Sequence, residues 1–155
     1  MTFAAIRVRG TVNVNPDIKK TLQLLNLTRV NHCVILEDKP SITGMLHVAK
    51  DYMTWGEIEK DVLSKLIKTR GRLEGDNNVT DDYVKSSTSF DTIDKLSKAI
   101  IDKKFNYREI PSVKPVFRLS PPKGGYEGIK RAFLKKGGAL GYRGKEINKL
   151  IERMI

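Results

Sequence analysis

Thr2-Phe-Ala-Ala-Ile-Arg-Val-Arg9 and His32-Cys-Val-Ile-Leu-Glu-Asp-Lys-Pro-Ser-Ile-Thr-Gly-Met-Leu46 are the stretches that decide the fold. In the first, Ala4, Ile6 and Val8 alternate with Phe3, Ala5, Arg7 and Arg9, the two-residue period of a strand. Its pattern predicts one buried face and one basic face. Asn13 to Pro16 then open a helix. Asn15 can cap it, Pro16 suits its first turn and Asp17 complements its positive end. Ile18, Leu22 and Leu25 form its apolar stripe, and Asn26 can close it. His32 to Glu37 is nearly continuous in apolar residues, a strand covered on both faces. Asp38-Lys39-Pro40-Ser41 starts a second helix, lined by Ile42, Met45, Leu46 and Ala49. Residues 53–58 read as a third strand. This is a β-α-β-α-β order within residues 1–58. Its helices are expected on one sheet face, leaving the Phe3, Arg7 and Arg9 face open or covered by the second half of the chain.

Residues 59–155 have a different character. Glu57 to Arg70 reads as a helix with Ile58, Val62, Leu63, Leu66 and Ile67 on its buried side, ended by Gly71. Residues 71–80 read as a loop, and Thr80-Asp-Asp caps a short helical turn. Ser89 to Lys103 carries Phe90, Ile93, Leu96 and Ile100 on one helical face. Pro111, Pro115, Pro121 and Pro122 exclude helix from residues 106–122, where Val116-Phe-Arg-Leu119 suits a short strand. Gly144 to Ile155 closes as a helix using Ile147, Leu150, Ile151 and Met154.

The charge is uneven. Residues 114–155 hold eleven Lys or Arg against three acidic residues, a net of +8, while residues 1–113 hold eighteen against fifteen. Such an excess points to a polyanion, because cations that neutralise phosphates release condensed counterions. Seven of the twelve glycines fall between Gly124 and Gly144, among these charges. A solvated surface kept for solubility does not ask for that combination. The segment reads as too poor in apolar residues to order itself alone, so a partner is expected to order it. Arg118, Lys123, Lys130, Arg131, Lys135, Lys136, Arg143 and Lys145 are spaced to meet successive phosphates. Tyr126, Phe133 and Tyr142 lie among them, placed to stack on unpaired bases or to pin the tail to the domain. Lys65, Lys68, Arg70 and Arg72 form a second basic group, which also complements a helix C-terminus. Arg7 and Arg9 form a third.

Other chemistry is not legible. The single cysteine, Cys33, excludes an internal disulfide and a cysteine-based zinc site, reads as a small core residue, and suits a reducing compartment. His32 beside it would point to the opposite face of a strand. Asp81-Asp82 reads as helix-start acids rather than a metal pair. Gly137-Gly-Ala-Leu-Gly-Tyr-Arg-Gly-Lys145 fails the phosphate-loop pattern: Ala139 stands where a glycine is needed, and Glu146 follows the lysine. No run of eighteen apolar residues is present to span a membrane, and Met1-Thr-Phe-Ala-Ala-Ile lacks the make-up of a signal peptide.

Three stretches carry a resemblance. They are Val34 to Leu46; Thr69-Arg-Gly-Arg-Leu-Glu-Gly-Asp76; and Phe117-Arg-Leu-Ser-Pro-Pro-Lys-Gly-Gly-Tyr-Glu-Gly-Ile-Lys-Arg131, the last joined by Gly137 to Gly144 and Ile147 to Met154. The chain resembles the archaeal and eukaryotic type of the large-subunit ribosomal protein L-thirty family, whose eukaryotic members are called L-seven. The lack of a long basic N-terminal arm favours the archaeal type. The family's compact bacterial form would end near Ile58.

The resemblance implies an α+β fold with a ferredoxin-like core and a three-stranded sheet. To this the chain adds a helical extension and the glycine-rich basic segment, with residues 1–58 and 59–155 packed as one domain. It implies a structural constituent of the large ribosomal subunit, in the cytoplasm, with no catalytic residues, no cofactor, no metal, no membrane and no small-molecule substrate. Its partners would be the large-subunit rRNA, near the 5S rRNA, and neighbouring ribosomal proteins. The expected RNA contacts are Arg70, Arg72, Arg118, Lys123, Tyr126, Lys130, Arg131, Lys135, Lys136, Tyr142, Arg143 and Lys145. Read from residues alone, a basic RNA-binding module outside the ribosome, a small ferredoxin-like enzyme, and a module for anionic membranes or acidic proteins stay open.

Overall fold

A computed structural model describes residues 2–10, 12–134 and 137–155. Strand β1 (Thr2–Arg7) lies inside the sheet. It pairs antiparallel with β2 (His32–Glu37), Ala4 opposite Ile35, and antiparallel with β3 (Met53–Glu57), Ala5 opposite Trp55. Helix α1 (Pro16–Leu24) joins β1 to β2, and α2 (Pro40–Val48) joins β2 to β3. The Asn15 side chain accepts the Asp17 N–H at 2.9 Å, the expected cap.

The sheet has six strands, not the expected three, in the order β4-β2-β1-β3-β6-β5. Strand β4 (Val116–Arg118) adds antiparallel to β2, and β6 (Gly138–Tyr142) adds parallel to β3. Beyond β6 lies β5 (Gly128–Ala132), paired in a shifted register. Much of the segment expected to need a partner for order therefore rests on the chain's own sheet. The edge of β3 supplies backbone partners on one side of β6, and β5 supplies them on the other. The Arg143 N–H donates to the Trp55 carbonyl at 2.9 Å, and the Thr54 hydroxyl donates to the Gly141 carbonyl at 2.8 Å. Gly56 makes this approach possible, since a Cβ there would stand 1.9 Å from the Gly144 carbonyl oxygen.

Both faces of the sheet are covered, and the layers are exchanged relative to the expectation: the first two helices lie on the Phe3 face, and the second half of the chain covers the other. Phe3 and Ala5 pack with Leu22 and Leu25 from the first helix region and with Leu46 and Ala49 from the second. Ala4 and Ile6 pack on the opposite side against three helices of the extension: α3 (Lys60–Arg70), α5 (Ile93–Ile101) and α6 (Ile147–Met154). Arg7 is buried to 2% exposure. Its guanidinium donates from Nε to the Arg9 carbonyl at 2.9 Å, from Nη1 to that of Leu27 at 2.9 Å and from Nη2 to that of Gly10 at 3.3 Å. It is a pin for two loops rather than a surface cation, and burial lowers its pKa.

The short helix α4 (Asp81–Ser87) is capped by Thr80, whose hydroxyl accepts the Tyr83 N–H. Asp81 accepts the Ile93 N–H at 2.8 Å and so fixes the start of α5. No helix among the described residues is long and apolar enough to cross a membrane.

Candidate nucleic-acid interface

The register of β2 with β4 sets His32 opposite Arg118 at one edge of the sheet. Arg70 ends α3 beside this strand. Its guanidinium donates to the Arg118 carbonyl at 3.2 Å and to the Ser120 hydroxyl at 2.7 Å. Arg72 comes next, donating to the carbonyls of Thr69 and Gly71 at 3.1 and 2.9 Å, which fixes the first turn beyond the helix. Leu73 donates to the Asn77 carbonyl at 2.7 Å, closing a tight turn that holds Asp76 outward. Asp76 pairs with Lys114 at 2.6 Å and with Arg118 at 3.5 Å. The hydrogen bond from Lys114, then the charges of Lys114 and Arg118, lower the Asp76 carboxyl pKa. His32 is held toward its neutral form, first by burial and then by Arg118, Arg29 and Arg7. Arg29, Arg70, Arg72, Lys114 and Arg118 thus gather along one edge, where Asp76 engages Lys114 and Arg118.

The tail leaves this edge and is tied down as it goes. The Tyr126 hydroxyl donates to Asn31 Oδ1 at 2.6 Å, and its ring packs against the core. Burial raises the Tyr126 phenol pKa. Tyr126 is therefore a clasp more than a stacking platform. Arg153 of α6 donates to the Lys123 carbonyl at 3.0 Å and to that of Gly125, and pairs with Glu127 at 3.6 Å. The Lys123 side chain is left exposed.

Arg143 does not face solvent. It is 5% exposed, donates to Thr54 Oγ1 at 2.8 Å and to the Ala139 carbonyl at 2.7 Å, and lies 4.7 Å over the Phe133 ring. Its geometry is that of an internal tie between β3 and β6, the same device as Arg7. A phosphate contact is expected from sequence at this position. A lone Arg between Gly141 and Gly144 carries no local sign of its partner in β3.

Lys130 and Arg131 are exposed on β5. With Lys50, Asp51 and Leu140 they line a groove of about 370 Å³ at the far edge of the sheet. Tyr142 is 40% exposed and donates to Glu57 Oε1 at 2.5 Å, a bond that raises its phenol pKa. Lys145 is exposed near it. Lys135 and Lys136 lie outside the described residues.

The candidate residues thus separate into two groups at opposite sheet edges, joined by the Lys123 to Tyr126 stretch. Arg29, Lys50 and Lys114 are not among the expected contacts. Lys114 lies within the basic segment, where charge alone would have found it. Arg29 and Lys50 sit in loops, and only strand pairing shows what they join. Burial raises the Cys33 thiol pKa and removes it from solvent, as a core residue requires.

Against known proteins, residues 3–53 match the family model described as ribosomal protein L30p/L7e. The chain is 50% identical to the large ribosomal subunit protein uL30 of Methanopyrus kandleri over 150 residues, covering 96% of this chain and 100% of that protein. It is 50% identical over 153 residues to uL30 of Methanobrevibacter smithii, covering 99% of each. It is 46% identical over 153 residues to uL30 of Methanosphaera stadtmanae, again covering 99% of each. The family model covers β1 through the start of β3, while the similarity to these relatives continues through the extension and the basic tail.

Proposed function

We infer the function from one premise: the chain belongs to the ribosomal protein L30p/L7e family. It is a structural constituent of the large ribosomal subunit, in the cytoplasm, and not an enzyme. It binds rRNA and meets neighbouring ribosomal proteins.

The observation that carries the RNA reading is the β4 edge, where Lys114 and Arg118 share Asp76, Arg70 bonds the Arg118 carbonyl, and Arg72 and Arg29 lie close by. A cation cluster so weakly neutralised suits a phosphate chain, and contacts of this kind set position rather than read sequence. The proposed contacts are Arg70, Arg72, Arg118, Lys123, Lys130, Arg131, Tyr142 and Lys145, with Lys135 and Lys136 on the same segment. Arg29, Lys50 and Lys114 join them. Tyr126 and Arg143 act through these residues by holding the tail against the sheet. We place the protein near the 5S rRNA, as its family resemblance implies. Residues 1–58 are taken as the family's ferredoxin-like core, and residues 59–155 as an extension that folds with it into one domain.

The test is binding of the full chain to large-subunit rRNA fragments over a range of salt. Affinity should fall steeply and linearly in log–log form, by about 0.7–0.9 of a decade per decade of salt for each phosphate neutralised. A flat salt response would remove the phosphate account. Sedimentation of the native protein tests the assignment to the particle: it should travel with large subunits, and free migration would oppose it.

A further inference from the structure

Strand β4 covers only half of β2, pairing His32, Cys33 and Val34 with Arg118, Phe117 and Val116. The Leu119 N–H donates to the Asn31 carbonyl at 3.2 Å. Hydrogen-bonded pairs alternate along an antiparallel ladder. Cys33 therefore bonds toward β4, and Ile35 and Glu37 turn their backbone groups to the same side, beyond the end of β4. The residue that would pair with Ile35 is Pro115, which has no N–H to offer its carbonyl and ends the ladder. The Glu37 carbonyl takes the Lys39 N–H at 3.0 Å. The second half of β2 is an open edge.

A cleft of about 280 Å³ runs along this edge. On one side of the sheet it is walled by Leu24, Ile42 and Met45, and on the other by Asn106 and Arg108. Leu24 is 62% exposed. Arg108 enters no ion pair among the described residues. The cleft is smaller than the roughly 300–1,000 Å³ usual for a small-molecule site.

We propose that this cleft receives an extended peptide segment of a neighbouring protein, which adds as a strand beside Ile35 to Glu37 in line with β4. Alternate apolar side chains of that segment lie against Leu24, Ile42 and Met45, and a carboxylate on it meets Arg108. A peptide backbone presents donors and acceptors at the spacing of the open edge, whereas a ribose-phosphate chain offers it mainly acceptors and no apolar side chains. Affinity in such strand addition comes from main-chain hydrogen bonds, and selectivity from pockets for alternate side chains. The inference rests on the placement of the protein in the large subunit.

The test uses assembled large subunits carrying the full chain with p-benzoylphenylalanine in place of Ser41, which lines the cleft, or of Ser86 on α4 as control. Irradiation should join the Ser41 position, and not the Ser86 position, to one protein chain, at a segment of alternating apolar residues. Hydrogen exchange in the peptide spanning residues 33–38 should slow at least about ten-fold on going from free chain to subunit, as buried strand amides do. A crosslink from the Ser41 position to rRNA alone, no crosslink there, or unchanged exchange would overturn the proposal. Failure of the chain to enter large subunits would instead overturn the functional reading beneath it.

Discussion

Replacing Arg143 by Ala separates a structural tie from an RNA contact. The guanidinium makes two charge-assisted hydrogen bonds, to Thr54 at 2.8 Å and to the Ala139 carbonyl at 2.7 Å, and covers the Phe133 ring at 4.7 Å. Hydrogen bonds to charged groups contribute about 1.5–3 kcal/mol each, and a cation over an aromatic ring adds about 1 kcal/mol. Against this stands the cost of a buried guanidinium with no carboxylate paired to it among the described residues, several kcal/mol in the folded state. Burial is also the leading cause of its lowered pKa. The opposing contributions leave a net loss of about 2–3 kcal/mol for Arg143→Ala. With a urea m-value of about 2 kcal/mol per M, the midpoint falls by about 1–1.5 M. Arg143→Lys keeps the charge but not the fork, and should fall between wild type and Ala. The single tryptophan, Trp55, is a natural reporter, because its carbonyl accepts the Arg143 N–H and its ring lies 6.3 Å from that of Tyr142. Its fluorescence should register the loosening of β6. Under conditions where the variant is folded, affinity for large-subunit rRNA fragments should stay within about two-fold, a change near 0.4 kcal/mol. A variant with an unchanged midpoint and a ten-fold loss of RNA affinity would refute the internal role.

Changing Arg118, Lys130 and Arg131 together to Gln should leave the urea midpoint within about 0.5 kcal/mol equivalents while reducing the salt slope of RNA binding, since exposed cations contribute little to folding. An unchanged slope in titrations of rRNA fragments would remove these residues from the contact set. Asp76→Asn frees Lys114 and Arg118 from their shared carboxylate and should tighten RNA binding at low salt, with weaker binding as the contrary result. The Asp76 pKa is depressed in the folded state, so its contribution to stability is present above the unfolded carboxylate pKa. It is lost only as pH falls through the lower folded value, and acid titration of wild type against Asp76→Asn should diverge at neutral pH and converge in acid. Gly56→Ala places a Cβ 1.9 Å from the Gly144 carbonyl oxygen and should undock β6, costing about 3 kcal/mol by urea unfolding. A midpoint equal to wild type would show that the backbones can separate without cost.

Local signals describe the elements they touch well. The period of Thr2 to Arg9, the continuous run at His32 to Glu37 and the Asn15 and Thr80 caps each rest on neighbours in sequence, and the structure places elements where those signals fall. The six-stranded sheet is not legible because β6 joins it through a strand distant in sequence, β3. Gly138-Ala-Leu-Gly-Tyr142 has too little side-chain bulk to announce a strand, and its partner in β3 lies 87 residues away, as the bond between Thr54 and Gly141 records. The two buried arginines escape a sequence reading for the same reason. Alternation correctly puts Arg7 on the Phe3 face, but the carbonyls of Leu27 and Gly10 that turn it inward come from loops. Of the candidate site, the charge asymmetry is readable. The division into two edges is not, because it depends on β4 and β5 taking opposite ends of one sheet.

That division constrains how RNA can be held. Many single-stranded RNA binders lay bases on aromatic side chains of an exposed sheet face. Here Phe3 and Trp55 belong to a core beneath the first two helices, and Phe117 to the core on the other face. Phe133 lies under the Arg143 guanidinium, and Tyr126 commits its hydroxyl to Asn31. Among the aromatics of the basic segment, Tyr142 keeps the largest exposed fraction, and its hydroxyl already engages Glu57. On the proposed reading base stacking is thus a minor resource, and the rims of the sheet, where cations and loops collect, are the surfaces offered to RNA. Recognition built that way depends on the path of the phosphate backbone more than on base identity. RNA fragments with altered loop bases but the same folded shape should then bind with nearly equal affinity, while unfolding the RNA without changing its sequence should weaken binding at least ten-fold. A loop-base change that cost as much as unfolding would show that a base-reading surface exists where the packing leaves no room for one.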